Sequence, residues 1–149
     1  MRAVLQRVRK AFVEVEGERT AEIGKGVVLL LAVAKSDGDD QVRYIAEKSL
    51  DLRIFPDDKH SMNRSLREVG GEVLLVSQFT LYGDARKGRR PSFDEAEAPE
   101  RAREVYRQFA AYLTERGFPP REGVFGASML VSLENDGPVT ILLDSERGF

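Results

Sequence analysis

The sequence predicts an α+β fold, in which a largely antiparallel and barrel-like β-sheet carries two main α-helices. Apolar and polar residues alternate over the first sixteen positions, which is the period of half-buried strands. Continuous apolar runs further along are typical of strands that are covered on both faces. Two other segments repeat apolar residues at helical spacing. The chain has 149 residues, so we expect a single domain over residues 1–149.

The first half of the chain is predicted to form strands and then a helix. Alternating strands at 2–9 and 11–16 lead into a hairpin turn at Glu16-Gly17-Glu18. The unbroken apolar run at 24–34 predicts a central strand. Helix-capping residues then precede apolar positions at helical spacing, and we expect a helix at about 39–51.

A strand and a second helix are predicted in the middle of the chain. The segment EVLLVSQFT, residues 72–80, has the apolar content of a buried strand. Pro99 suits the first turn of a helix. That helix should end at Gly117, because Pro119-Pro120 cannot continue it.

The composition excludes several kinds of catalytic site. The chain has no cysteine and one histidine, His60, which lies in a polar run typical of a solvated loop. Disulfides, thiol nucleophiles, cysteine-rich zinc sites and a Ser-His-Asp triad are therefore not expected. The aspartate-rich segments at 37–40 and 57–58 lack the ligand pattern of a calcium loop. We expect no metal and no cofactor.

The charge and the start of the chain bear on partners and location. The net charge is −2, so binding to a polyanion would need a local basic patch. Residues 1–17 have no apolar signal-peptide core, and no run approaches the ~18 apolar residues of a membrane span. We expect a cytoplasmic protein that has no membrane partner.

The predicted strand at 72–80 ends in polar residues and leads into basic ones. Ser77, Gln78 and Thr80 could be convergent polar groups at the rim of an apolar pocket, or could mark a strand that emerges into solvent. The cations that follow could contact a phosphate backbone, or could form a solvated surface. They are Arg86, Lys87, Arg89 and Arg90.

The end of the chain is predicted to be a strand at 124–133, turn residues at 134–137 and a final strand from Pro138. Asn-Asp-Gly is a strong turn signal, which favours a simple hairpin here. A cis Gly137-Pro138 bond is the alternative, because a cis bond to proline usually marks a tight turn with a purpose. The residues alone leave both conformations open.

Four motifs in order, SQFTLYG, RRPSF, MNRSL and NDGPVT, resemble those of the D-aminoacyl-tRNA deacylase family. The similarity extends from QRV at 6–8 to the last strand. The resemblance implies a homodimeric hydrolase that acts in chiral proofreading during translation. Its substrate would be aminoacylated tRNA and not DNA. It would cleave the ester between the terminal adenosine and a D-amino acid, or glycine mischarged on tRNA(Ala).

The resemblance also implies roles for individual residues. Gly137 and Pro138, joined by a cis bond, would be the chiral selector and would act in the partner's active site. The opposite, catalytic wall would consist of Ser77, Gln78, Phe79 and Thr80. Phe125 and Met129, taken as strand residues, would complete the pocket floor. The basic residues at 86–90 would meet the tRNA phosphates.

The chemical step admits two routes. Thr80 could act as a nucleophile only if a base removed its proton, and no such base is evident in the sequence. The family implies instead that the neighbouring ribose hydroxyl takes part, while a backbone N–H of Phe79 or Thr80 stabilises the oxyanion. Two other functions stay open from the residues alone. They are a non-catalytic RNA-binding module and a general esterase with a threonine or serine nucleophile.

Overall fold

The computed structural model describes residues 1–149 and confirms the α+β class. A single mixed sheet, curved towards a barrel, packs against helices. The strands are β1 (Arg2–Val15), β2 (Glu18–Ile23), β3 (Gly26–Ala32), β4 (Glu72–Ser77), β5 (Arg121–Glu122) and β6 (Leu130–Asp144). The helices are α1 (Asp39–Asp51), α2 (Leu66–Val69) and α3 (Pro99–Glu115), and a 3₁₀ turn spans Phe79–Tyr82.

The long strand β1 organises the sheet. Its first half pairs with β3 and its second half with β2, while β6 pairs along its other edge, all antiparallel. The pairs β3–β4 and β4–β5 are parallel, which the sequence pattern did not distinguish. Parallel neighbours need a crossover connection, and the segment with α1 and α2 supplies it between β3 and β4. The ends of β3 and β4 consequently lie side by side.

The main core lies between the sheet and the two long helices. Leu5, Leu29 and Leu75 from the sheet meet Ile45 of α1 and Phe109 of α3, and all five are fully buried. The predicted helix at 39–51 is confirmed at both ends. The second helix begins at Pro99 as predicted and stops two residues before Gly117, whose φ of +86° suits glycine.

Two predicted strands are shorter in the structure than in the sequence analysis. The strand predicted at 72–80 ends at Ser77, because residues 79–82 curl into the 3₁₀ turn. The strand predicted from residue 124 begins at Leu130, so Phe125 and Met129 lie in the preceding loop and not on a strand. Pairing with a neighbour, and not local apolar content, decides where these strands end.

The simple hairpin that the local residues favour at 134–137 does not form. Both halves of β6 pair with β1, with Val8 opposite Asn135 and Gln6 opposite Thr140. The residues between Asn135 and Thr140 therefore form a bulge that leaves the sheet while the strand keeps its direction. The Gly137-Pro138 bond within this bulge is cis.

The chain start is built into the core. The Met1 amine lies 2.6 Å from Asp37 Oδ1 and donates to Ser145 Oγ at 2.7 Å. Asp37 Oδ2 also accepts from the Ala34 N–H at 2.6 Å, so both carboxylate oxygens are used. The structure contains no helix that combines the length and apolarity needed to cross a membrane.

Candidate active site

A cavity of about 620 Å³ opens where β3 and β4 end, and its lining is mostly apolar. Ser77, Gln78 and Phe79 form the wall that follows β4. Phe125 and Met129 line the cavity from the loop before β6. An apolar cavity with a few convergent polar groups is the usual form of a small-molecule site. Five residues that the sequence analysis chose as wall or floor are thus brought together.

Hydrogen bonds to the neighbouring strand fix the polar wall. The Gln78 N–H donates to the Leu31 carbonyl at 2.8 Å, which continues the β3–β4 ladder one residue past Ser77. The chain then turns, and the Gly83 N–H donates to the Thr80 carbonyl at 2.9 Å. The N–H groups of Phe79 and Thr80 start this turn, so they have no acceptor within it. Two backbone donors are available next to the cavity.

Phe79 is an exposed aromatic residue at the cavity. Its side chain is 58 % exposed. The ring makes an edge-to-face contact with Phe93, with 5.1 Å between centroids. Phe93 also lines the cavity and follows the basic residues by three positions. This contact fixes one end of the basic segment at the cavity.

The opposite wall is held by a buried tyrosine. Tyr106 donates its hydroxyl to the Leu75 carbonyl at 3.1 Å, and its ring packs edge-to-face on Phe125 at 5.6 Å. Burial raises the pKa of Tyr106 well above its ordinary value, so the hydroxyl stays protonated. Gly123 leaves room for Met129, because a Cβ at Gly123 would lie 2.7 Å from the Met129 sulfur.

Thr80 lies at the rim of the site and does not line the cavity. The residue is exposed, and its hydroxyl accepts a hydrogen bond from the Gln78 side-chain amide. The threonine hydroxyl has no histidine, lysine or carboxylate among its hydrogen-bond partners. Neither does the structure contain a group of three histidine, aspartate or glutamate side chains arranged to hold a metal ion.

Glu97 is a cavity residue that the sequence analysis missed. Its Oε2 accepts from Arg101 at 2.9 Å, and its Oε1 accepts from the Ala98 N–H at 2.8 Å. Both carboxylate oxygens are thus engaged at the start of α3. One signal in the sequence could have identified Glu97. It lies two residues before Pro99, which starts the helix, and four residues before Arg101 on that helix.

The bulge in β6 is fastened at its base by Arg7 and Asn135. The Arg7 side chain is nearly buried and donates to the Asp136 carbonyl at 3.0 Å and to the Ile54 carbonyl at 2.5 Å. The Asn135 amide donates to the carbonyls of Arg7 and Val139, each at 2.9 Å. These bonds define the path of the chain on both sides of the cis bond.

Gly137 has a conformation and surroundings that only glycine fits. Its φ is +127°, and a Cβ there would lie 2.9 Å from both an Arg7 nitrogen and a Val139 methyl. Gly137 and Pro138 are exposed, and neither lines the cavity of its own chain. The structure of one chain therefore does not bring this segment to the polar wall.

The basic loop, residues 85–91, projects between Asp84 and Ser92, which pair as an isolated bridge. Arg86 is not a free cation, because it donates twice to the Asp84 carboxylate, at 2.9 and 2.6 Å. These bonds lower the pKa of Asp84 to about 2. The other cations are exposed and have no carboxylate within ion-pair distance; they are Lys87, Arg89 and Arg90.

Comparisons with known proteins agree on one family. A family model described as D-Tyr-tRNA(Tyr) deacylase matches residues 4–144. The D-aminoacyl-tRNA deacylase of Syntrophobacter fumaroxidans is 54 % identical over 149 residues, which covers 100 % of both chains. A solved structure described as c-Myc DNA Unwinding Element Binding Protein has a TM-score of 0.92 and 39 % identity, covering 97 % of this chain and 98 % of that chain. Another, described as a probable eukaryotic D-amino acid tRNA deacylase, shares the fold, with a TM-score of 0.81, 21 % identity and coverage of 95 % and 97 %.

Proposed function

The chain belongs to the D-Tyr-tRNA(Tyr) deacylase family, and we propose that it hydrolyses D-aminoacyl-tRNA in the cavity beside β4 while excluding L-amino acids. It is an aminoacyl-tRNA hydrolase by this membership. The observation that carries the stereochemical proposal is the exposed bulge at Gly137-Pro138, whose backbone is held in place by hydrogen bonds from the side chains of Arg7 and Asn135. A rigid backbone segment can discriminate by steric exclusion without contacting the favoured side chain.

The selection would follow from backbone geometry. If the Gly137-Pro138 carbonyls bind the α-amino group and the polar wall holds the ester, an L side chain points into the backbone and a D side chain points away. The cavity supplies no cation or anion that would favour one kind of side chain, apart from the engaged Glu97. We therefore expect many D-amino acids to be accepted. Glycine, including glycine on tRNA(Ala), would also be hydrolysed, because it has no side chain to clash.

The site would be completed by a second copy of the chain. Gly137 and Pro138 are exposed and do not line their own cavity, which supports action in the partner of a homodimer. The outer edge of β6 carries no paired strand, and the apolar side chains of Leu130 and Leu142 on it are 63 % and 54 % exposed. An unpaired strand edge with exposed apolar residues is a surface that proteins commonly cover.

The chemical step would rely on the substrate's own ribose hydroxyl. Thr80 lies at the rim, and its hydroxyl has only the Gln78 amide as partner. Glu97 uses both oxygens in fixed hydrogen bonds. No residue of the wall is thus set up to remove a proton, whereas the N–H groups of Phe79 and Thr80 could stabilise the oxyanion. The protein would mainly contribute orientation.

The experiment that tests this function compares two substrates in single-turnover hydrolysis. D-tyrosyl-tRNA ending in normal adenosine should lose its tyrosine rapidly, and the same ester on terminal 2′-deoxyadenosine should react at least 100-fold more slowly. Equal rates would rule out assistance by the ribose. Cleavage of small activated esters, with a trapped acyl-enzyme, would support the general esterase. Binding without any hydrolysis would support the RNA-binding module.

A further inference from the structure

We infer that Arg103 and Arg107 on α3 form a second phosphate site, which holds the single-stranded 3′ end of the tRNA beside the active site. This inference rests on the proposed function. A separate cavity of about 250 Å³ adjoins the main one, and the two share Tyr106 and Phe125 as a common wall. Arg103 and Arg107 line the smaller cavity, together with Glu122 and Gly123.

Neither of these two arginines forms an ion pair within the protein. Two neighbouring arginines are paired, since Arg101 on α3 binds Glu97 and Arg116, which follows α3, binds Glu47. Arg103 and Arg107 are exposed and have no carboxylate within 4.0 Å, including that of Glu122 in the same cavity. Two unpaired guanidinium groups at one small cavity form a local positive site in a chain of net charge −2.

Contacts with the pocket wall orient Arg103. Its Cζ atom lies 5.2 Å from the centroid of the Phe125 ring. The other contacts of that ring include Tyr106, at 5.6 Å between centroids. A guanidinium stacked on an aromatic face keeps its N–H groups free at the edges. Arg103 is thus fixed at the boundary between the two cavities with donors still available.

The spacing suits phosphate groups of a single strand. Positions 103 and 107 are four residues apart, so they lie on the same face of α3, one turn apart. Guanidinium groups bind phosphate oxygens through paired, charge-assisted hydrogen bonds. If the terminal aminoacyl-adenosine occupies the main cavity, the next phosphates of the chain must leave along its wall. Arg103 and Arg107 in the smaller cavity place cations on the Phe125 side of that wall. The basic loop lies on a different side of the main cavity, where Phe79 contacts Phe93.

The test uses the double variant Arg103→Gln/Arg107→Gln and a matched control. The control is Lys48→Gln/Arg147→Gln. Lys48 and Arg147 are also exposed and form no ion pair, and each lies within 6 Å of the Tyr44 ring. Both residues lie outside the two cavities. The probe is an oligonucleotide that ends in CCA and carries no amino acid. Its binding is measured by fluorescence anisotropy at several salt concentrations. This readout does not require hydrolysis, so it remains valid if the proposed function fails.

Loss of two single-strand phosphate contacts should reduce the slope of log K against log salt by about 1.4. Between 50 and 200 mM salt, the affinity of the double variant should therefore fall about sevenfold less than that of the wild type or the control. The KM for hydrolysis of D-tyrosyl-CCA should rise in the double variant. The KM for D-tyrosyl-adenosine, which has no phosphate, should stay unchanged. An unchanged salt slope, or an equal loss on D-tyrosyl-adenosine, would overturn the inference.

Discussion

Arg7 Nε donates to the Asp136 carbonyl oxygen at 3.0 Å, which links β1 to the base of the bulge that contains the cis Gly137-Pro138 bond. The same side chain donates to the carbonyls of Ile54 and Ser61, so one arginine connects three segments of the chain. Arg7 is only 8 % exposed, so burial and these hydrogen bonds together fix its position. The shape of the proposed selector therefore depends on a residue that lies far away in the sequence.

Replacing Arg7 should impair activity through the position of the bulge. Arg7→Lys keeps the charge but cannot reach three carbonyls at once, and a misplacement near 1 Å costs about 100-fold in rate. We expect kcat/KM for D-tyrosyl-tRNA to fall by about that factor. Arg9→Lys is the matched control, because Arg9 contacts the Asp136 side chain from an exposed position. Equal effects of the two changes would contradict the role of Arg7.

Gly137→Ala should abolish hydrolysis of the D ester. The new Cβ would lie 2.9 Å from both Arg7 and Val139, at a φ that L side chains rarely adopt. Gly17→Ala separates these effects, since Gly17 also has a positive φ but no atom within 4 Å of an added Cβ. We expect Gly17→Ala to lower the free energy of unfolding by about 1–2 kcal/mol and to leave the specific activity unchanged. Residual wild-type activity in Gly137→Ala would remove this segment from the mechanism.

Glu97→Gln should retain activity within about threefold, although Glu97 lines the cavity. Its carboxylate is held by Arg101 and the Ala98 N–H, and we assign it to the start of α3 and not to proton transfer. Removing a general base would instead reduce kcat by about 10²–10⁴. Single-turnover rates on D-tyrosyl-tRNA distinguish these outcomes. A loss of that size, with tRNA still bound, would identify Glu97 as the base.

The cations of the basic loop should contribute unequally to tRNA binding. Arg86 is paired with Asp84, and hydrogen bonds from Arg86 lower the pKa of that carboxyl to about 2, so the carboxylate that offsets the Arg86 charge is ionised at neutral pH. Replacing Arg86 by glutamine should therefore change the salt dependence of binding less than replacing Arg89 does. Filter binding over a salt series measures both slopes, with Lys87→Gln as a third comparison. A larger effect at Arg86 would show that the ion pair opens on tRNA.

Glu47 should contribute to stability only above acidic pH. A hydrogen bond from Tyr112 is the main cause that lowers the pKa of Glu47, and Arg116 and Arg67 add to it. Because the folded pKa is below the unfolded one, this stabilisation is complete above the unfolded pKa near 4.5 and disappears as pH falls through the folded value. The difference in urea stability between wild type and Glu47→Gln should shrink from pH 6 to pH 3. A constant difference would contradict this linkage.

The sequence predicted the two long helices well because their ends carry local signals, whereas the short helix α2 was not predicted. Pro99 marks the start of α3, and the Gln41 side chain, which accepts a hydrogen bond from the Gly38 N–H, marks the start of α1; neither signal needs tertiary information. Strand ends were less predictable, because pairing partners decide them. The curl after Ser77 and the bulge at 136–139 both depend on neighbouring strands, and Asn-Asp-Gly favours a hairpin wherever no partner strand opposes it.

The lining of the candidate cavity was predicted in part. Motifs led to Ser77, Gln78 and Phe79, and folding brings these to one cavity with Phe125 and Met129. Two features required the three-dimensional structure. Glu97 and the unpaired Arg103 reach the cavities only because α3 packs against the ends of the strands, and no local pattern separates them from ordinary surface charges.

Stereochemistry of hydrolysis tests the central claim most directly. Amino acid release is measured from matched D- and L-tyrosyl-tRNA, with enzyme that has been treated with a metal chelator. The proposed mechanism predicts rapid hydrolysis of the D ester and no acceleration of the L ester over the uncatalysed rate. Comparable hydrolysis of both esters would contradict steric selection by the Gly137-Pro138 segment, and hydrolysis of neither would contradict the deacylase function itself.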